Sequence, residues 1–349
     1  LLYVGALARL KDPQVRLLQI FIGLLTVELA LSTDVIGGAQ HVLNLVTIFG
    51  LLIYVARARS DPSVWYWSAM LSGVLAGLGS LVFYAQQDQL PQVNANAWSF
   101  FPLTSLLVTC VYAASPARRR RSRLLLILAF VNAGWVFLSG SRGSFLICVV
   151  CLLFILVRLR SVKGTGLTLA AAVLGAMAVG SQFAGQESRA VFRLTKLFDQ
   201  DLSLTERTSG RWDLARGGWE IFLEHPLGVG TGGFPHAWAN FSNRRGTSAF
   251  RGWEKQAHSG WIKVLVENGI PGILAFGGFV LSFAVVGWRR RRAGMFLPGL
   301  VVTLILSVAF LADEFQGKGL WYLCGAVILF SRLAPAKAAA AHAPRRAAG

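Results

Sequence analysis

Apolar positions in this chain come in blocks. Runs of roughly 17–22 apolar residues recur, separated mostly by short polar connections, and each can cross a hydrocarbon core of ~30 Å as a helix. The pattern predicts spans over 15–31, 42–56, 64–84, 98–115, 124–139, 144–159, 165–183, 269–288, 295–312 and 320–331, and residues 1–8 read as the tail of a further helix. Strict polar/apolar alternation would mark a membrane β-barrel, and these runs do not show it. The expected fold class is therefore all-α: a polytopic transmembrane helical protein of about 10–12 spans with one large loop outside the membrane. Four regions follow: N-terminal transmembrane helices 1–183, a loop 184–268, C-terminal transmembrane helices 269–333 and a basic tail 334–349. The chain begins at Leu1 rather than a methionine, which fits a trimmed N-terminus.

Composition agrees. Of 349 residues, 54% are hydrophobic and 14% charged, and the mean hydropathy is +0.56. A net charge of +18 in a soluble protein would point to nucleic acid, but its placement points elsewhere. Most basic residues fall on one side of the alternating spans: Arg9/Lys11/Arg16, Arg57/Arg59, Arg118 to Arg121 with Arg123, Arg158/Arg160/Lys163, Arg289 to Arg292, and the tail. The positive-inside rule makes that side cytoplasmic. The clusters are read as topology signals and headgroup anchors, so the expected partner is the lipid bilayer and not nucleic acid. The four cysteines, Cys110, Cys148, Cys151 and Cys324, lie inside predicted spans. They read as small packing residues, and no disulfide framework is implied.

Chemistry concentrates in the one long connection, 184 to 258, on the extracytoplasmic side. Within it, Trp212, Ala215, Trp219 and Phe222 recur at three- and four-residue steps and predict an apolar helix face, with Thr208 or Ser209 as the cap and Pro226 as the stop. Arg207 and Arg211 are four apart at the start of that helix. Arginines there oppose the helix dipole unless an anion binds. "GVGTGGF" (228–234) has no strand before it and no Lys-Ser/Thr after it, so it reads as a flexible turn and not a nucleotide loop. In "LSGSRGSF" (138–145), Arg142 stands alone in a very short outer connection, flanked by glycines and serines that permit close approach of an anion. His258 opens "HSGWIKVLVENGIPG", where Gly269 is expected to end a short helix and Pro271 to start the next span. The N-terminal end of a helix disfavours a second proton on an imidazole, which suits a general base. Asp313, Glu314 and Lys318 lie on another short outer connection, placed to position an acceptor or orient an arginine. No metal-ligand spacing is present, and neither a metal nor a cofactor is expected.

The stretches "SGSRGS", "SGRWDLARGGWEIFLEHPLGVGTGGF" and "HSGWIKVLVENGIPG", in this order and on one membrane side, resemble the O-antigen ligase/polymerase superfamily of bacterial envelopes. The last fits the ligase-type pattern of His, then Asn/Ser/Gln, nine residues, Gly, two residues, Gly: here His258, Ser259, Gly269 and Gly272. The resemblance implies a metal-independent, inverting glycosyltransferase in the bacterial inner membrane, with its large loop and active site on the periplasmic face. The implied donor is a glycan on undecaprenyl diphosphate, and the implied acceptor a sugar hydroxyl of lipid A–core. It also implies Arg142 and Arg211 on the diphosphate and His258 as the essential histidine. Arg207 and Arg216 join the expected substrate contacts, with Asp313 and Lys318. Three other readings stand beside the ligase: a polymerase extending the lipid-linked glycan, a protein glycosyltransferase, and a transporter of the same lipid. A transporter is expected to carry ionisable groups near the bilayer midplane and an inverted repeat, and neither is evident in the sequence.

Overall fold

The structure is a computed structural model, and the residues described are 13–57, 62–84, 95–114, 122–138, 142–159, 199, 201–208, 210–245, 255–312, 324 and 328. Among them, all regular structure is helical. The helices are α1 (Pro13–Glu28, followed by a 3-10 turn Leu29–Leu31), α2 (Val35–Arg57), α3 (Pro62–Tyr84), α4 (Ala95–Ala114), α5 (Ser122–Leu138) and α6 (Arg142–Leu159). After these come α7 (Leu204–Arg207), α8 (Arg211–Glu224), α9 (Phe234–Arg245), α10 (Gly260–Arg289) and α11 (Phe296–Ala312). The expected spans at 165–183 and 320–331, the start 1–8 and the tail 334–349 lie outside or almost outside the described residues.

The bundle is organised on α4, which packs against α3, α5, α6 and α11. From Leu106 to Ala114 every residue of α4 is buried, as a helix apolar on all sides requires. Two of its buried hydroxyls bond to backbone: Ser105 Oγ donates to Met70 O at 2.7 Å and Thr109 Oγ1 to Ser105 O at 2.8 Å. Gly73 lets α3 approach closely, because a Cβ there would overlap Ser105 and Asn132. Small residues at helix contacts do the same work in membrane bundles generally.

A second layer is α1, α10 and α11. Phe21 of α1 packs on Phe276 of α10 with ring centroids 5.3 Å apart. The α10–α11 hairpin crosses at Gly287 and Gly299, where a Cβ on Gly299 would meet the Cα of Gly287 at 2.9 Å. Trp261 Nε1 donates to Ser307 O at 3.0 Å and ties the start of α10 to the last turns of α11.

Two helical stretches, Pro13–Leu31 and Gly260–Arg289, are by length and composition able to cross a membrane. Shorter apolar stretches are Val35–Gly50, Tyr66–Leu78, Phe101–Ala114, Leu124–Phe137 and Phe296–Val308. The cysteines are free and buried. A maleimide reagent is therefore expected to label none of them in the folded protein and all four after denaturation, with mass spectrometry as the readout.

Candidate active site

The loop region is a small helical unit seated on the N-terminal half of α10. Its core is a separate apolar cluster of Leu214, Ile221, Phe234, Trp238, Phe241, Ala257 and Val266. The packing face of α8 corrects the sequence expectation. Leu214, Gly217, Gly218 and Ile221 are buried, whereas Trp212 and Trp219 are about half exposed, at 50% and 52%. Glycines decide this. Gly217 lies under Trp238 and Phe241, and Gly218 under Ile262, so the flat side of α8 makes the contacts.

The start of α8 also differs from expectation. Its N-cap is Gly210, at φ 79°, and not Thr208, while Ser209 lies outside the described residues. Thr208 still serves the helix: its Oγ1 accepts from Trp212 N at 3.1 Å. Arg207 ends the single turn α7, which is closed by a Ser203/Glu206 capping box, and its Nε donates to Leu202 O at 2.8 Å. The break at Gly210 means that Arg207 and Arg211 do not share one continuous helix. Arg211 is the first residue of α8, partly exposed. Arg216 points to solvent and pairs with Glu220 at 3.3 Å on its own helix. Arg244 pairs with Glu224 at 2.7 Å and Arg245 with Glu220 at 3.3 Å, so these join α9 to α8.

His258 is exposed, with φ of 50°. Among the described residues it is the one non-glycine with positive φ. Left-handed backbone at a non-glycine residue is uncommon, and such strain clusters at functional sites. Ser259 next to it caps α10, its Oγ accepting from Ile262 N at 3.5 Å. Ala257, on the other side, is buried in the same cluster as Leu214. The segment carrying His258 and the first turns of α8 therefore share one support. Arg142 is the first residue of α6. Two residues on, Ser144 Oγ lies 2.7 Å from Ser99 Oγ, which pins this end of α6 to α4. Arg142 thus belongs to the bundle and Arg211 and His258 to the loop unit. Asp313 and Lys318 lie outside the described residues.

The glycine-rich stretch is not a free turn. At Gly269, φ 57° and ψ −149°, α10 breaks into two helices, as the Gly-Ile-Pro-Gly sequence predicts. The break frees the carbonyls of Val266 and Glu267: Pro271 has no N–H to give Glu267, and Ile270 N turns away to Pro226 O at 3.0 Å. The glycine-rich loop fills both vacancies. Val229 N donates to Val266 O at 3.0 Å, and Gly230 N to Glu267 O at 2.9 Å. Gly228, Gly230 and Gly232 all have positive φ, and a Cβ on any of them would overlap neighbouring backbone.

A buried polar knot lies beside the break and was not foreseen from sequence. Asn268 Nδ2 donates to Glu28 Oε2 and, at 3.1 Å, to Thr231 Oγ1. Thr231 Oγ1 donates in turn to Leu25 O at 3.0 Å. Glu267, 1% exposed, accepts from Phe234 N at the start of α9 at 3.3 Å. Lys263 is buried one turn earlier. Polar residues spaced four apart inside an apolar run, Lys263 and Glu267, were the available sign. Thr231→Val is expected to lower stability by about 1–3 kcal/mol, the usual cost of orphaning buried hydrogen-bonding groups, read by thermal melting in detergent.

Residues 124–277 match the family model described as O-antigen ligase. This region is similar to the O-antigen ligase family. It contains Arg142, Arg207, Arg211, Arg216, His258, Gly269 and Gly272, and ends ahead of Asp313 and Lys318. No curated protein sequence matches the chain. The match supports a relationship to the O-antigen ligase/polymerase superfamily and, at a coarse level, an enzyme role. A cleft of about 300 Å³ opens beside the segment that leads to His258, lined by Thr33, Asp34, Gly232, Pro235, His236, Lys255 and Gln256.

Proposed function

We propose that this protein is a polytopic inner-membrane ligase that transfers an O-antigen glycan from undecaprenyl diphosphate to a sugar hydroxyl of lipid A–core at the periplasmic face. The observation that carries the reading is the domain match over 124–277, because it encloses every residue chosen for catalysis.

Two features support the membrane layout. The second half of α10, from Ile270 to Arg289, rises about 30 Å at ~1.5 Å per residue. The loop unit packs at its near end and Arg289 to Arg292 stand at its far end, as the positive-inside rule requires for a periplasmic loop. The bundle also exposes Ile20, Leu43, Leu75, Ile127, Leu153, Leu274 and Leu281, each more than half accessible. An apolar surface of that extent suits lipid and not water.

The chemistry follows from the leaving group. As the bond between the anomeric carbon and the diphosphate breaks, negative charge grows on the lipid diphosphate. Arg142 and Arg211 each open a helix, where the guanidinium and the positive end of the helix dipole both favour an anion. His258 takes the proton of the acceptor hydroxyl, whose oxygen attacks the opposite face of the anomeric carbon and inverts it. The diphosphate departs with the bonding electrons. Arg207 and Arg216 are assigned to the donor, and Asp313 and Lys318 to the acceptor.

The test is reconstitution in lipid with undecaprenyl-diphosphate glycan and lipid A–core, with EDTA in a parallel arm. Lipid A–core carrying glycan, formed equally with EDTA, is the expected product on a gel. A lengthened lipid-linked glycan in its place would make the enzyme a polymerase. No glycan transfer to either would overturn the enzymatic reading.

A further inference from the structure

The ligase reading assigns the diphosphate to arginines and the proton to a histidine but leaves the sugar without a seat. The cleft of about 300 Å³ supplies one. Four segments wall it: the turn between α1 and α2 with Thr33 and Asp34, the glycine-rich loop at Gly232, the first turn of α9 with Pro235 and His236, and the approach to α10 with Lys255 and Gln256. Its place is fixed relative to the catalytic histidine. Gln256 is two residues from His258, and two residues of extended chain span at most about 7 Å.

Its chemistry selects among the parts of a lipid-linked glycan. The lining offers a hydroxyl, a carboxylate, an imidazole, an ammonium and an amide. Together they donate and accept, as sugar hydroxyls do. Its lining holds one acidic and one basic residue, Asp34 and Lys255, so it lacks the cationic excess of an arginine cluster that holds a diphosphate. It is too polar for a prenyl tail, and its volume sits at the lower end of the range for small-ligand sites. Pro235 adds one apolar facet for the C–H face of a pyranose. The cleft is also braced: Asp34 Oδ1 accepts from Gly37 N at 2.9 Å to cap α2, and Ser32 Oγ accepts from Asp34 N at 3.0 Å.

We infer that the cleft between the α1–α2 turn, the start of α9 and Gln256 is a saccharide-binding subsite that holds a sugar beside His258. Its assignment to donor or acceptor glycan rests on the ligase reading; its affinity for sugar does not. His236 and Gln256 are exposed, so alanine at either position leaves the packing intact.

The experiment measures binding directly, by saturation-transfer NMR and calorimetry, on the full chain in lipid nanodiscs. Two water-soluble probes come from the host's lipopolysaccharide: O-antigen polysaccharide freed of lipid, and core oligosaccharide without O-antigen. Wild type is expected to bind one of them, and His236→Ala and Gln256→Ala each to weaken it about tenfold, the loss of one or two hydrogen bonds, with melting temperatures unchanged. Polysaccharide binding marks a donor subsite and core binding an acceptor subsite. If wild type binds neither probe, or both variants bind as wild type does, the inference fails. Weakened binding in the variants of a protein that transfers no glycan would keep the subsite and discard the ligase. Transfer with undiminished affinity and KM in both variants would do the reverse.

Discussion

Replacing His258 with alanine is expected to slow glycan transfer by about 10²–10⁴-fold, the usual share of a general base, with the fold intact. The expectation of an intact fold comes from position. His258 is exposed and precedes the helix cap without supplying it; Ser259 does that. The cap of α10 is thus kept when the imidazole is removed. The backbone at 258, with φ 50°, gives a sharper test. Glycine takes left-handed conformations without strain, whereas an L side chain pays ~1–2 kcal/mol. His258→Gly is therefore expected to melt no lower than His258→Ala while being equally inactive. Activity loss without stability loss would place the imidazole in the chemistry. A His258→Gly variant that is both inactive and clearly less stable would show the histidine to be a structural residue, and full activity in either variant would remove it from the mechanism.

Helix positions were legible in the sequence because apolar block length reports them directly. The expected spans 64–84, 98–115, 124–139, 144–159 and 295–312 fall on Pro62–Tyr84, Ala95–Ala114, Ser122–Leu138, Arg142–Leu159 and Phe296–Ala312. The second was expected to begin at 42 and begins at Val35. Its first turns, with Gly37, Gly38, Gln40 and His41, are too polar for an apolar-run reading, yet Asp34 caps them. The face of α8 was misread for a related reason. Hydrophobicity points to tryptophans, but the contacts are made where glycines let α9 and α10 come close. The glycine-rich loop was legible as a turn and not as a brace, since its partners, the carbonyls of Val266 and Glu267, are freed only by the break in a distant helix. The break itself was readable from Gly-Ile-Pro-Gly. Glu28 lies near the end of an expected span, and its partner Asn268 is 240 residues away, beyond any local pattern.

The largest stability effect is expected at Gly269. Its φ of 57° and ψ of −149° fall in a region that only glycine occupies readily, so any side chain costs about 1–3 kcal/mol in backbone strain alone. Space adds to this. A Cβ would overlap Pro226 O and reach the carbon of Leu227 at 2.5 Å and Gly228 N at 2.7 Å. These are backbone atoms of the loop that bonds across the break, so they cannot yield as a flexible side chain would. Moving them breaks the hydrogen bonds Val229 N to Val266 O, Gly230 N to Glu267 O and Ile270 N to Pro226 O. Each strands a group at about 1–3 kcal/mol. The sum reaches the exceptional range above ~4–5 kcal/mol, and Gly269→Ala is expected to yield little monodisperse protein. Gly50 is the internal control: it lies within α2, and a Cβ there meets nothing within 4 Å. Gly50→Ala is expected to be neutral or stabilising by up to about 1 kcal/mol. If both variants purify and melt alike, the loop is not held by the break. If only Gly269→Ala fails, the same backbone that breaks α10 also sets the direction of its first half, and with it the position of His258.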